Sequence, residues 1–118
     1  MKSVLLVSHG SRSSKTKQEV HALVRALKHK TRIKIFQYAF LDVENPTIPK
    51  GLDRCVQKGA TEVMVLLNFL NSGQHIDRDI PAIVRKAQKK YPEVRFTMSQ
   101  PIGQHPKIAG LFVDLIDK

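Results

Sequence analysis

At 118 residues the chain is long enough for one hydrophobic core and too short for two ordinary domains, so a single domain is expected. With 42% hydrophobic and 25% charged residues it has the composition of a globular protein, and no apolar run approaches the roughly 20 residues of a membrane-spanning helix. Twenty Lys and Arg against ten Asp and Glu leave a net charge of +10, a field that draws anions: nucleic acid, an anionic membrane or a small polyanionic substrate. The charge is uneven, with eight basic residues and one acid, Glu19, between Arg12 and Lys34; taken alone, such a run is a solvated helix face. Cys55 is the only cysteine, which excludes an intrachain disulfide and a cysteine metal cluster. Lys2 is followed by four apolar residues, fewer than the about 7–15 of a secretory signal, so the cytoplasm is the expected compartment.

In chain order, residues 4–7 (Val-Leu-Leu-Val) form a buried strand that breaks into the polar corner Ser8-His9-Gly10-Ser11-Arg12. Val20, Leu23, Val24 and Leu27 share one helix face and predict a helix over 13–30. Residues 33–40, rich in β-branched and aromatic side chains, predict a second strand. In Asp42-Val43-Glu44-Asn45-Pro46, Asn45 suits a helix cap and Pro46 the first helical position. The helix that follows faces inward with Ile48, Leu52, Cys55 and Val56, making Cys55 a core thiol, and Gly59 ends it. Residues 61–70 are the most apolar segment, a strand expected to be covered on both faces, ending in the corner Asn71-Ser72-Gly73-Gln74-His75. Asp79 and Pro81 open a third helix, which buries Ile80, Ile83, Val84 and Ala87 and closes at Tyr91-Pro92. Residues 94–98 give a weaker strand, Pro101-Ile102-Gly103 a turn, and Pro106 starts a last helix with Ile108, Leu111, Phe112 and Leu115 on one face.

Four strands alternating with four helices make an α/β domain with a parallel sheet and helices on both faces. The continuous apolar runs of the first and third strands suit the middle of the sheet, and Lys34, Gln37, Arg95 and Thr97 mark the second and fourth as edges, which gives the order 2-1-3-4. The switch point then falls between the strands that end next to His9 and His75, the place where ligands gather in open α/β sheets. Two imidazoles at such a point suit divalent iron, cobalt, nickel or zinc and leave positions open for exchange. Either histidine alone is more often structural. Glu44, past the second strand, is a third ligand or a proton acceptor on one reading and a carboxylate favoured by a helix dipole on the other.

Other chemistries lack their signatures. There is no phosphate loop, no dinucleotide fingerprint and no nucleophile elbow around Ser11. With seven aromatic residues, and Phe36, Tyr38 and Phe40 placed in a strand, the basic run lacks the interleaved aromatics of a nucleic-acid surface, so nucleic acid is not expected as a partner; without an apolar run of membrane-spanning length, neither is a membrane.

Ser-His-Gly-Ser-Arg at 8–12, Phe-Leu-Asp-Val-Glu-Asn-Pro-Thr-Ile at 40–48, Phe-Leu-Asn-Ser-Gly-Gln-His at 69–75, Asp-Ile-Pro at 79–81 and Pro-Ile-Gly at 101–103 together resemble the class II tetrapyrrole chelatases of the sirohydrochlorin cobaltochelatase and ferrochelatase type. The resemblance runs from end to end and implies one chelatase-like α/β domain over 1–118. It also implies ATP-independent insertion of a divalent metal (Co²⁺, Fe²⁺ or Ni²⁺) into sirohydrochlorin, on a route to cobalamin, siroheme or a nickel tetrapyrrole. The metal is substrate rather than a tightly bound cofactor. On this reading His9 and His75 handle the metal, and with Glu44 they make up the catalytic set. Ser8, Gly10, Ser11, Arg12, Ser72 and Gly73 line the substrate, with Arg12 the leading contact for its carboxylates and Lys15 and Lys17 weaker ones. His105 either assists the ion or takes a first-turn position of the last helix. Asn71-Ser72 stands where small apolar residues are frequent in the family.

The resemblance further implies a homodimer, because longer members look like two such halves in one chain. Two other classes share part of this pattern. A phosphohistidine-type phosphatase also has a strand followed by His-Gly, but with an arginine where Ser8 stands; a non-catalytic half-domain would bind anions alone.

Overall fold

The structure is a computed structural model that describes all 118 residues with the exception of the His75 side chain. Its centre is a four-stranded parallel sheet in the order β2-β1-β3-β4, built from β1 (Lys2–Ser8), β2 (Ile35–Phe40), β3 (Glu62–Leu67) and β4 (Arg95–Met98). The order and the parallel sense are those expected from the apolar patterning. Between the strands run α1 (Ser14–Lys30), α2 (Ile48–Gln57) and α3 (Ile80–Lys90), and α4 (Ile108–Ile116) ends the chain.

Alternation along β1 divides the core in two. Leu5 and Val7 point into a cluster with Ile48, Leu52 and Cys55 of α2 and Ile80 of α3, whereas Val4 and Leu6 meet Val20 and Val24 of α1 on the opposite face. Each fully buried Leu, Ile or Val stabilises the fold by about 1.5–3 kcal/mol relative to its exposed state. Gly51 lets α2 approach β1, because a Cβ there would press on the Leu5 side chain. Cys55 is wholly buried, as its helix face predicts, and burial pushes its thiol up to about 11.

Several boundaries move, each for a local reason. Thr47, not Asn45, caps α2, and Pro49 rather than Pro46 occupies its first turn. The Asn45–Pro46 peptide is cis, and the Phe40 N–H donates to the Pro46 carbonyl at 2.8 Å, so Pro46 belongs to the loop that continues β2. Strand β3 stops at Leu67, since Ser99 Oγ accepts the Leu67 N–H and the Asn68 N–H turns to the Val7 carbonyl. A π-helical turn, His75–Asp79, precedes α3.

The larger departure is at the end of the chain. Helix α4 forms, but Leu111, Phe112, Val113, Leu115 and Ile116 are all exposed, and among the other elements it contacts chiefly the 3₁₀ turn Ile102–Gln104. The expectation that β3 is covered on both faces therefore fails on one side. Val63, Val65 and Leu67 are buried under α2 and α3, but Met64 and Leu66, on the α1 face, are only half-buried. Beside them an apolar groove of about 310 Å³, walled by Leu6, Leu23, Leu27, Leu66 and Ile102, lies open. No helix is long and apolar enough to cross a membrane.

Candidate functional site

The carboxyl ends of β1, β2 and β3 are laced together by backbone hydrogen bonds. The Leu41 N–H donates to the Ser8 carbonyl at 2.8 Å, the Asp42 N–H to the His9 carbonyl at 2.9 Å, and the Asn68 N–H to the Val7 carbonyl at 2.9 Å. His9 is thus held through its backbone while its imidazole is exposed to solvent. Gly10 makes this possible. Its φ of 94° lies in the left-handed region, and a Cβ there would collide with the Asp42 carbonyl oxygen.

One wall of the imidazole is Phe69, whose ring stands edge-on to that of His9 with centroids 4.6 Å apart. Phe69 is buried and is in turn fixed from the 3₁₀ turn after β4: the Gly103 N–H donates to its carbonyl at 3.0 Å, and a Cβ at Gly103 would strike the Leu70 carbonyl oxygen. The Pro-Ile-Gly segment, read from sequence as a turn, therefore supports the residue that orients His9. Nothing in the spacing pointed to Phe69, because an apolar residue at the end of an apolar strand reads as core.

On the other side of the corner the Ser11 N–H donates to Glu44 Oε1 at 2.7 Å. Glu44 is half-buried and bridges the loops after β1 and β2. It lies four residues ahead of α2 rather than at its first turn, so the helix-dipole reading does not describe it.

The remaining predicted residues divide. Ser8 is buried, and its hydroxyl accepts from Asn68 Nδ2 at 3.0 Å, so it braces β1 against the loop after β3. Ser11 Oγ accepts the Ser13 N–H, and Ser13 caps α1 by accepting the Lys15 N–H, which sets the Ser11–Arg12 turn against the helix start. Arg12, Ser72 and Gly73 are exposed. Ser72 accepts a hydrogen bond from Gln104, and the Gly73 carbonyl accepts from the N–H groups of Ile76 and Asp77, starting the π turn. His105 Nδ1 accepts the Lys107 N–H at 3.0 Å, a local contact at the approach to α4. The backbone of His75 opens the π turn that follows the β3 loop, and its side chain lies outside the described residues. Among the described residues no three His, Cys, Asp or Glu side chains cluster as a closed metal cage.

A parallel sheet of order 2-1-3-4 with its polar, histidine-bearing corners past adjacent central strands defines a chelatase-like α/β domain. The chain belongs to the CbiX family, whose pattern matches residues 3–118. It is 35% identical over 100 residues to a sirohydrochlorin ferrochelatase of Bacillus subtilis, covering 85% of this chain and 38% of the relative. It is 39% identical over 106 residues to a sirohydrochlorin cobaltochelatase of Priestia megaterium, covering 89% of this chain and 34% of the relative. The fold superposes with a TM-score of 0.86, at 31% identity, on the crystal structure of the sirohydrochlorin chelatase SirB from Bacillus subtilis subspecies spizizenii in complex with cobalt, covering 98% of this chain and 50% of that one. The chain thus spans half or less of these relatives' length.

Proposed function

We propose that the chain is one chelatase-like unit that inserts a divalent metal, Co²⁺ or Fe²⁺ and by the same chemistry Ni²⁺, into sirohydrochlorin without ATP. The observation that carries this reading is the exposed His9 imidazole, fixed by Gly10, the Asp42 N–H and Phe69 at the sheet's switch point in a member of this family. The relatives named as ferrochelatase and cobaltochelatase support both metals.

The reaction exchanges two pyrrole N–H protons for one M²⁺, so it needs a ligand that releases the ion and an acceptor for protons. An imidazole at a site with open positions serves the first need, and His9, with His75 as the second ligand, presents the metal as substrate. Glu44 holds the Ser11 turn through one carboxylate oxygen, which makes it first a positioning residue. Arg12 and the neighbouring serine turn face the substrate's carboxylates. The phosphatase alternative needed an arginine at position 8, and the buried Ser8 bound to Asn68 offers nothing comparable.

A single sheet edge gives a flat macrocycle a floor and no facing wall, and small-molecule sites enclose most of their ligand. The working unit is therefore a pair of such domains, formed by a second copy of the chain in a closed two-fold dimer. The exposed apolar residues of α4 support association.

Purified protein mixed with metal-free sirohydrochlorin and Co²⁺ or Fe²⁺ is expected to show the absorbance change of metal insertion. His9→Ala and His75→Ala should each lower the rate by at least about 100-fold. Unchanged rates in both variants would overturn the assignment. Sedimentation at micromolar concentration tests the pairing, and an active protein that stays monomeric with and without substrate would refute the shared cleft.

A further inference from the structure

Helix α1 carries Lys17, His21 and Arg25 at four-residue steps, about 6 Å apart along the axis, on the stripe next to its buried Val20 and Val24. This stripe overhangs the edge strand β2. Between them lies a cavity of about 720 Å³, lined by Arg12, Lys17, His21 and Arg25 above and by Tyr38 and Glu44 below. The floor is ordered: Tyr38 is half-buried, and its ring meets His21 edge-on at 5.1 Å and Phe40 at 5.6 Å.

Three features separate this cavity from an ordinary solvated face. Its cations, Arg12, Lys17 and Arg25, line one shared concavity. Its one acidic side chain, Glu44, has Oε1 bound to the Ser11 N–H, and among the described residues Arg12, Lys17 and Arg25 have no carboxylate partner. It also begins beside the reactive corner, since Arg12 is three residues from His9, a Cα separation of at most about 11 Å. A second cavity of about 310 Å³ shares His21, Arg25 and Tyr38 and adds Lys28 and Arg54, so the positive track continues along the β2 edge.

We propose that this pocket is the seat for carboxylate arms on one flank of the macrocycle, with Lys17 and Arg25 as specificity-determining residues beside Arg12. The inference rests on the chelatase reading above. A macrocycle whose metal-accepting centre lies over His9 has its rim next to Arg12, and its acidic arms then fall between α1 and Tyr38. Arg25 provides a planar fork for a carboxylate and Lys17 a point charge, while the His21–Tyr38 pair gives an aromatic floor for the arm's carbon atoms.

Binding of metal-free sirohydrochlorin and its turnover with Co²⁺ are measured for wild type, Lys17→Gln, Arg25→Gln and the double variant. Lys89→Gln, an exposed lysine of α3 on the opposite face of the sheet, is the charge-matched control. Each single substitution in the pocket should raise Kd and KM about five- to tenfold with kcat within twofold, and the double variant should flatten the salt dependence of binding. A control that weakens binding as much as the pocket variants would mean a diffuse field and overturn the proposal. So would normal turnover with unchanged KM in the double variant, which leaves the chelatase reading intact. A wild type that neither binds nor metallates sirohydrochlorin removes both. A short single-stranded oligonucleotide serves as a competing polyanion, and tighter binding of it, lost in the same variants, would also overturn the assignment.

Discussion

Glu44 accepts the backbone N–H of Ser11 through Oε1 at 2.7 Å, across 33 residues of sequence, so the carboxylate past β2 sets the turn that follows His9. One side chain thereby couples the loops after β1 and β2, and Arg12 of the first and Glu44 of the second both line the basic pocket.

The coupling separates positioning from proton transfer. Glu44→Gln keeps an acceptor for the Ser11 N–H and should retain most of kcat, whereas Glu44→Ala frees the turn and should lower kcat/KM by more than about tenfold. Steady-state kinetics of the two variants give the answer; an equal collapse of kcat in both would make the charge itself catalytic.

Gly10→Ala is expected to be costly in two ways. A side chain at φ 94° that also meets the Asp42 carbonyl oxygen should destabilise the fold by about 1–3 kcal/mol. Because the Asp42 N–H anchors the His9 carbonyl, activity should fall further than the lost stability explains. Urea melts paired with rates at a temperature where the variant is still folded check this.

Phe69→Leu tests whether the aromatic edge matters beyond filling space. The stability loss should be about 1 kcal/mol, with a larger effect on metallation because the His9 ring loses its wall. Thermal melts and initial rates measured on the same preparations separate the two effects.

Cys55 gives a pH dependence of known sign. Its thiol titrates near 11 in the fold, against 9.0 for an unperturbed thiol, so the unfolded chain loses its proton first. Its contribution is fully present below about pH 9 and is lost as pH rises toward 11, on the order of 2–3 kcal/mol in all. The tyrosine of the Tyr91–Asp53 hydrogen bond is raised too, by that bond first and then by burial, and adds loss of the same sign. Denaturant melts of wild type and Cys55→Ala from pH 7 to 11 should show curves that converge as pH rises.

Phe112→Ser and Leu115→Ser, on the exposed side of α4, should each change the stability of the isolated chain by less than about 0.5 kcal/mol. If α4 contributes to the pair, sedimentation will show weaker self-association in the double variant with its circular dichroism unchanged.

The periodicities of 2 and 3.6 in this sequence were enough for the element order, the parallel sheet and the order 2-1-3-4, because an apolar stripe must be buried against something and few arrangements of four βα units bury all of them. Leu5 and Val7 against Val4 and Leu6, and Cys55 among core residues, follow from the same rule. The corner around His9 was legible as well, since glycine and polar residues after an apolar run mark where a strand ends. The partners of that corner were not. Glu44 on Ser11, Phe69 on His9 and Gly103 under Leu70 are contacts between segments 33 to 60 residues apart, and a contact at that distance leaves no local period in the sequence. The fate of α4 was invisible for a related reason. Its apolar face announces burial, but periodicity states only that a face is apolar, and the tertiary structure alone decides whether the sheet, a partner or solvent meets it.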